Sequence, residues 1–510
     1  MTNRPLMLTA LALSLLVSAL ACQAATGTET YHYGIEMNGV LCGYAEVTST
    51  PTEIEGREST LLKHRVFLMI SALGSRFNSD VRLTYHIDPA TGRFFYHDSE
   101  IDQGATHLES EIRIEGDTAH CSSSMTDEVT TVALPPDVVL ENTLHLGHLV
   151  KDFVEGGVEE KTYEIFEVRE FEVQKSTYTL AGTETLDLAG KTFDAVVLDR
   201  MSLATGLKVK MWVDRDTGMV LKVVYPNNRS GYLADASVKK KIEVANIDES
   251  FTARTNVAIP DIKAISYMKV RATVEPTGLW VTPESLNVPG QTFEGTVEEN
   301  RVEGVFEISH ARYDGANAPP FPPDFADDET LQEYLEPKDF IESDDPVLVA
   351  KAEEITAGSK DSWEAAVRLS RWVADNIDYE IPGGSTARRT YDIRAGECGS
   401  HSILFAAFSR AVGIPARVVW GCMYIPNFGG AFGQHGWNEV YMGDAGWITI
   451  DTTATETDYV DSGHIRIGEL QSMTTALNPV EMEVLDYRVG FGTTADAEPA
   501  DDGKYAAFLG

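Results

Sequence analysis

The stretch RAGECGSHSILFAAFSRAVGIPARVV, Arg394–Val419, decides how the C-terminal part of this chain is read. Ile403, Leu404, Phe405, Ala406, Ala407, Phe408 and Ala411 leave almost no polar side between Cys398 and Val412, so the spacing predicts a fully buried helix. Gly413 stops it and Pro415 prevents its continuation. Cys398 falls at the first residue of that helix, between Gly396-Glu397 and Gly399. A helix N-terminus, with an imidazolium nearby, can lower a thiol pKa from about 8.5 into the range of about 3.5–7.5. Small neighbours also leave the sulfur approachable. Core filling gains nothing from such a position, and a nucleophile does.

A nucleophile needs a base, and the base needs a group to orient it. Downstream, ARVVWGCMYI (416–425) reads as a strand and PNFGGAFGQ as a glycine-rich loop. HGWNEVYM (435–442), a turn GDAG and WITIDTT (447–453) then read as a hairpin. Pairing 441 with 447 across the four-residue turn sets His435 diagonal to Asp451, at about 7–8 Å between Cα atoms. A carboxylate and an imidazole bridge that distance. Trp437 and Glu439 alternate onto the face of His435, and Asn438 turns to the other face. Upstream, Asp345-Pro346 and Asp361 with Glu364 mark the starts of two further helices.

GECGSH, GIPARVV, HGWNEVY and GWITIDTT occur in the order and spacing of the transglutaminase-like superfamily, which the chain resembles over about 340–475. The resemblance implies a papain-like core of α+β class, a helix packed on an antiparallel sheet. It implies Cys398 as nucleophile, His435 as general base and acid, and Asp451 as the residue orienting His435. His401 is similar to the Gly-acidic-Cys-x-x-His pattern of a bacterial branch, and with Trp437 it is a candidate for shaping the substrate site. The activity so implied is acyl transfer through a Cys398 thioester on a protein or peptide substrate. Hydrolysis of peptide or glutamine amides is favoured over protein crosslinking, and a non-catalytic envelope binding or scaffold protein is the remaining alternative. Residues 26–340 carry no marks of the animal tissue enzymes, so no calcium site is expected. No metal or other cofactor is expected, and the sequence does not set the oligomeric state.

The remaining chain is dominated by strands. Residues 26–250 show period-two stretches such as TYTLAGTETLDL (177–188), and KVKMWVDRDTGMVLKVVY (208–225) turns at Asp214–Gly218, so a β-rich N-terminal domain is expected as an antiparallel sheet or half-barrel. A second β-rich segment with a Pro-rich linker follows at 256–340. The catalytic domain is expected over 341–480 and a tail over 481–510.

With 41 Lys and Arg against 79 Asp and Glu, the net charge of −38 disfavours nucleic acid as a partner. Arg4, the apolar run Leu6–Leu20 and Ala19-Leu20-Ala21 read as a signal peptide over 1–25, which predicts export to the periplasm or cell envelope. Cys22 directly follows and is a candidate lipid-attachment residue, which would anchor the protein to a membrane. Export permits disulfides, and Cys42 with Cys121 is the pair favoured for one. Cys422 reads as a buried small side chain. His145 and His148 have metal-like spacing but no acidic or cysteine partner in sequence.

Overall fold

The computed structural model describes residues 27–490, apart from 55, 73–74, 105, 125, 141–145, 227, 249–250, 310–311, 326, 339, 427–428, 458 and 471–474. The expected signal peptide, Cys22, His145 and the end of the tail lie outside the described residues. The chain divides into two compact units at residue 250, with 73–75 counted in the second.

The first unit is one fifteen-stranded sheet among the described residues. Its strands alternate buried and half-buried positions, as in Ser75–Ile87, because one face of each strand packs and the other does not. The first eight strands, Glu29–Met37 to Thr126–Ala133, form one antiparallel meander, and the six from Glu160–Glu167 to Arg229–Ala234 form another. The two are joined where the first strand pairs with the last, His32 opposite Ala234 and Met37 opposite Arg229. The hairpin expected at 208–225 is present, as Lys208–Asp214 paired with Val220–Tyr225. Cys42 and Cys121 are buried free thiols, which corrects the expected disulfide. Four strands lie between theirs in the sheet order, far beyond the reach of a disulfide. His148 rests its ring edge-on against Tyr163 at 5.0 Å.

The second unit begins with β1 (Thr252–Arg254), β2 (Ile265–Thr277), β3 (Gln291–Glu298) and β4 (Arg301–Ile308). Four helices follow: α1 (Pro346–Thr356), α2 (Ser362–Asn376), α3 (Ala387–Ile393) and α4 (Cys398–Ala411). Asp345 caps α1 by accepting from the N–H groups of Val347 and Leu348, and Asp361 caps α2 through that of Glu364. The strands β5 (Ala416–Ile425), β6 (Ala431–Tyr441), β7 (Trp447–Ile450), β8 (His464–Glu469) and β9 (Ala476–Val489) complete it. One sheet runs β1-β6-β5-β8, with β7 also on β6; a second runs β3-β4-β2-β9; a short parallel pair joins Asp378–Tyr379 to Ala395–Gly396. The architecture is α+β, as expected. Two sequence expectations change. Residues 431–434 belong to β6 rather than to a glycine-rich loop, because the chain continues its pairing with β5 down to Ile425 opposite Ala431. Residues 481–489 lie in β9, bonded along β2, so the tail starts after that strand.

α4 is buried on all sides from Gly399 to Arg410. It is tied to β6 by Ser402, whose hydroxyl donates to the carbonyl of Gly436 at 3.0 Å, and by Asn438, whose amide donates to the Ser402 carbonyl at 2.9 Å. His435, Trp437 and Glu439 of β6 share one sheet face with Arg417 of β5 and His464 and Arg466 of β8. There Arg417 pairs with Glu439 and Glu469 at 2.6 Å each, and Arg466 reaches Glu439 at 3.3 Å, fastening the three strands at one end. Gly421 lets the Trp437 ring lie flat across β5. A Cβ there would come within 2.4 Å of that ring and 2.1 Å of the Ile465 carbonyl oxygen. Gly421→Ala should therefore cost about 1–3 kcal/mol through overpacking, read as a fall of several degrees in the midpoint of thermal unfolding.

Candidate active site

The first group at the site is fixed by the start of α4. Glu397 occupies the N-cap position, and its carboxylate accepts from the N–H groups of Gly399 and Ser400. The same carboxylate accepts from the Ser400 hydroxyl at 3.0 Å, and that hydroxyl also contacts the Gly384 carbonyl at 2.8 Å. Gly396 has no room for a side chain: a Cβ would sit 2.3 Å from that of Ser400. These contacts hold Cys398 at the first turn, partly exposed. The backbone N–H of Gly436, next to His435, bears on its sulfur. Burial and then the Glu397 charge push the thiol well above its ordinary pKa; the Gly436 N–H pulls it down, and Asp451 adds to the rise. The lowered thiol pKa expected at a helix N-terminus is not met, because burial disfavours the thiolate and the cap beside it is itself an anion.

The second and third groups come together through strand register. Tyr441 pairs with Trp447 and Asn438 with Ile450, the register anticipated from the turn length. Beyond Ile450 the chain closes on itself, Asp451 and Glu456 exchanging both backbone hydrogen bonds at 3.0 and 2.8 Å. This turn aims the Asp451 carboxylate back at β6. His435 Nε2 lies 2.6 Å from Asp451 Oδ2, with the two side chains 1% and 0% exposed. Asp451 Oδ1 accepts from the N–H of Ala454 at 2.9 Å. Burial raises the Asp451 pKa, but the charges and hydrogen bonds of His435 and His464 outweigh it and hold this carboxyl well below the usual carboxylate range.

His401 and Trp437 are both buried, 3% and 1% exposed. The His401 ring nitrogens face the carbonyl oxygens of Glu397, at 3.0 Å, and Ile377, at 3.2 Å. Burial lowers its pKa and disfavours the charged ring. Trp437 stacks on His435, with centroids 6.0 Å apart and planes at 20°. Cys422 is buried on β5, and burial pushes its thiol up to about 12. Asn438 faces α4, not His435.

Three acidic or basic groups here were not singled out in the sequence. His464 Nε2 lies 3.2 Å from Asp451 Oδ2, the oxygen that also meets His435. Asp461, 2% exposed, contacts the other side of the His464 ring, and Glu456 accepts from the Asp461 N–H at 2.9 Å. The signal was available: HIRIGE alternates two isoleucines with His464, Arg466 and Gly468, a strand pattern that turns His464 toward the face of His435.

Donor atoms come within 4.8 Å of one another in His435–Asp451–His464, in Glu456–Asp461–His464 and in Glu100–Asp102–His107. In the first two, the shared His464 ring already directs Nε2 to Asp451 and Nδ1 to the Asp461 carbonyl at 3.2 Å. A cation there would have to displace those contacts. The third group is a set of surface ion pairs, His107 to Asp102 at 2.7 Å.

Residues 349–452 match the transglutaminase-like superfamily, so the chain carries a domain of that superfamily. No curated protein matches the chain. Among solved structures, the chain is similar to a proposed cysteine protease from Cytophaga hutchinsonii, at 17% identity over 47% of this chain and 93% of that one, TM-score 0.33. It is also similar to a β-barrel-like protein of a domain of unknown function from Brucella abortus, at 9% identity over 42% of this chain and 97% of that one, TM-score 0.31. A third likeness is to a TGase, at 16% identity over 35% of this chain and 49% of that one, TM-score 0.18.

Two outcomes follow from these charges. Glu397→Gln removes the anion nearest Cys398, so the midpoint of the pH dependence of its alkylation should fall, by about one unit, as followed by mass spectrometry of the Cys398 peptide. Burial holds Glu456 well above the ordinary carboxylate pKa, with Asp461 adding to the effect. The folded chain therefore keeps a proton that the unfolded chain releases above about pH 4.3, and this costs stability as pH rises. Glu456→Gln needs no such proton and should raise the thermal midpoint more at pH 8 than at pH 5 in parallel calorimetric scans.

Proposed function

We propose that this protein is an exported cysteine-dependent acyl-transfer enzyme that hydrolyses peptide or glutamine amides. The observation that carries the reading is the buried His435–Asp451 contact of 2.6 Å, formed next to Gly436, whose N–H bears on the Cys398 sulfur. With Nε2 committed to Asp451, His435 exchanges protons through Nδ1. The Cys398 thiol gives its proton to that nitrogen as the sulfur attacks an amide carbonyl. The C–N bond then breaks, His435 returns the proton to the leaving amine, and a thioester remains. Water attacking the thioester releases an acid; an amine in its place gives a new amide, which is crosslinking. The Cys398 N–H at the start of α4 is the natural donor to the developing oxyanion. Asp451 fixes the ring's tautomer and stabilises the imidazolium.

The substrate in this reading is a protein or peptide met outside the cytoplasm. The signal-peptide pattern of residues 1–25 supports export, and Cys22 supports a lipid anchor at the envelope. The surface charge disfavours nucleic acid.

Mass spectrometry of a glutamine-containing peptide, with and without an added primary amine, separates cleavage, deamidation and crosslinking. The unmutated protein should release acid even with amine present. Cys398→Ala should lose turnover by at least about a thousandfold while keeping its unfolding midpoint. Unchanged turnover in that variant would defeat the reading.

A further inference from the structure

The site contains a second imidazole that the proposed chemistry does not use. His464 is 0% exposed and touches the same carboxylate oxygen as His435. Its surroundings hold only acceptors on both sides of the ring. Nε2 faces Asp451 Oδ2 at 3.2 Å. Nδ1 faces the Asp461 carbonyl oxygen at 3.2 Å and Asp461 Oδ2 at 3.5 Å. Neither Asp451, whose carboxyl is held ionised, nor a carbonyl can supply a hydrogen, so both contacts form only if the ring carries two N–H groups. His401 also faces two oxygens, but these are neutral carbonyls, and no carboxylate contacts its ring. At His464 the anions of Asp451 and Asp461 offset the cost of burying a cation.

We propose that His464 is a positioning residue: a permanently charged imidazole that shares Asp451 with His435, fixes the carboxylate in place and offsets its charge toward Cys398 and His435. The inference rests on the acyl-transfer reading of Cys398, His435 and Asp451. Every group facing the ring fits it. From β6 come His435 and Trp437, whose ring meets His464 edge-on at 5.2 Å. From the 451–463 turn come Asp451, Asp461 and Glu456. From β5 comes Met423, the uncharged partner of His464 across the ladder. Burial depresses an imidazole, and here Asp461 and then Asp451 outweigh it and hold His464 well above its ordinary value.

Electrostatics gives the consequence a sign. Removing a buried positive charge leaves the Asp451 anion less compensated, and that anion disfavours the Cys398 thiolate. His464 thereby offsets part of the Asp451 charge that the thiol meets.

The test is the pH dependence of Cys398 alkylation by iodoacetamide, read on the Cys398 peptide by mass spectrometry, in the unmutated protein and in His464→Gln. Gln keeps a donor toward Asp451 and loses the charge. The midpoint should move up by about one pH unit, a roughly tenfold slower reaction below it. A lower plateau with an unmoved midpoint would mean a structural role and would overturn the proposal. If His464→Gln does not fold, 15N-histidine NMR of the His435→Gln protein decides. One slowly exchanging imidazole with both nitrogens protonated at pH 8 is expected, and its absence is the overturning result. The two readings fail separately. Turnover surviving in Cys398→Ala removes the acyl-transfer enzyme, whereas turnover lost there with an unmoved midpoint in His464→Gln removes only the role of His464.

Discussion

One buried oxygen, Asp451 Oδ2, organises the candidate site. Two imidazoles from two strands converge on it, at 2.6 and 3.2 Å, and none of the three side chains is more than 1% exposed. An ionised carboxyl in such a place is untenable without positive partners. The imidazoles supply them, and they are in turn oriented by the carboxylate. The pairing of β6 with β7, the tight return after Ile450 and the closeness of β8 all bear on this point. So does the Trp437 ring, which packs against both imidazoles.

The placement of Cys398 follows a different logic. A helix start offers unpaired N–H groups and a partial positive charge, yet Glu397 takes up two of those donors and sets a carboxylate beside the sulfur. Burial and that carboxylate together disfavour the thiolate.

Much of the second unit was legible from residue pattern because each signal there is local. The uninterrupted apolar run of α4, the glycine and proline that end it, the caps at Asp345 and Asp361, and the turn length between β6 and β7 all act over a few residues. The turn length alone set the register that brings Asp451 to His435. What was not legible depends on distant contacts. β9 pairs with β2, some two hundred positions away, and nothing in its own polar sequence announces that partner. His464 acquires its meaning only from a sheet order that sets β8 beside β5. The disulfide favoured between Cys42 and Cys121 failed for the same reason: compartment chemistry allowed it, and the order of strands did not.

The first unit closes on its own beginning. Residues 29–37 find their partner at 229–234, so one side of the opening strand stays bare until almost the whole unit has been made. Such a sheet cannot be finished piecemeal as the chain emerges. Its zipping waits on the last strand, which makes folding slow and dependent on distant encounters, and leaves a sticky ribbon edge exposed meanwhile. The same closure brings entrance and exit of the unit side by side, so the whole sheet could be lifted out of, or grafted into, another chain at a single seam.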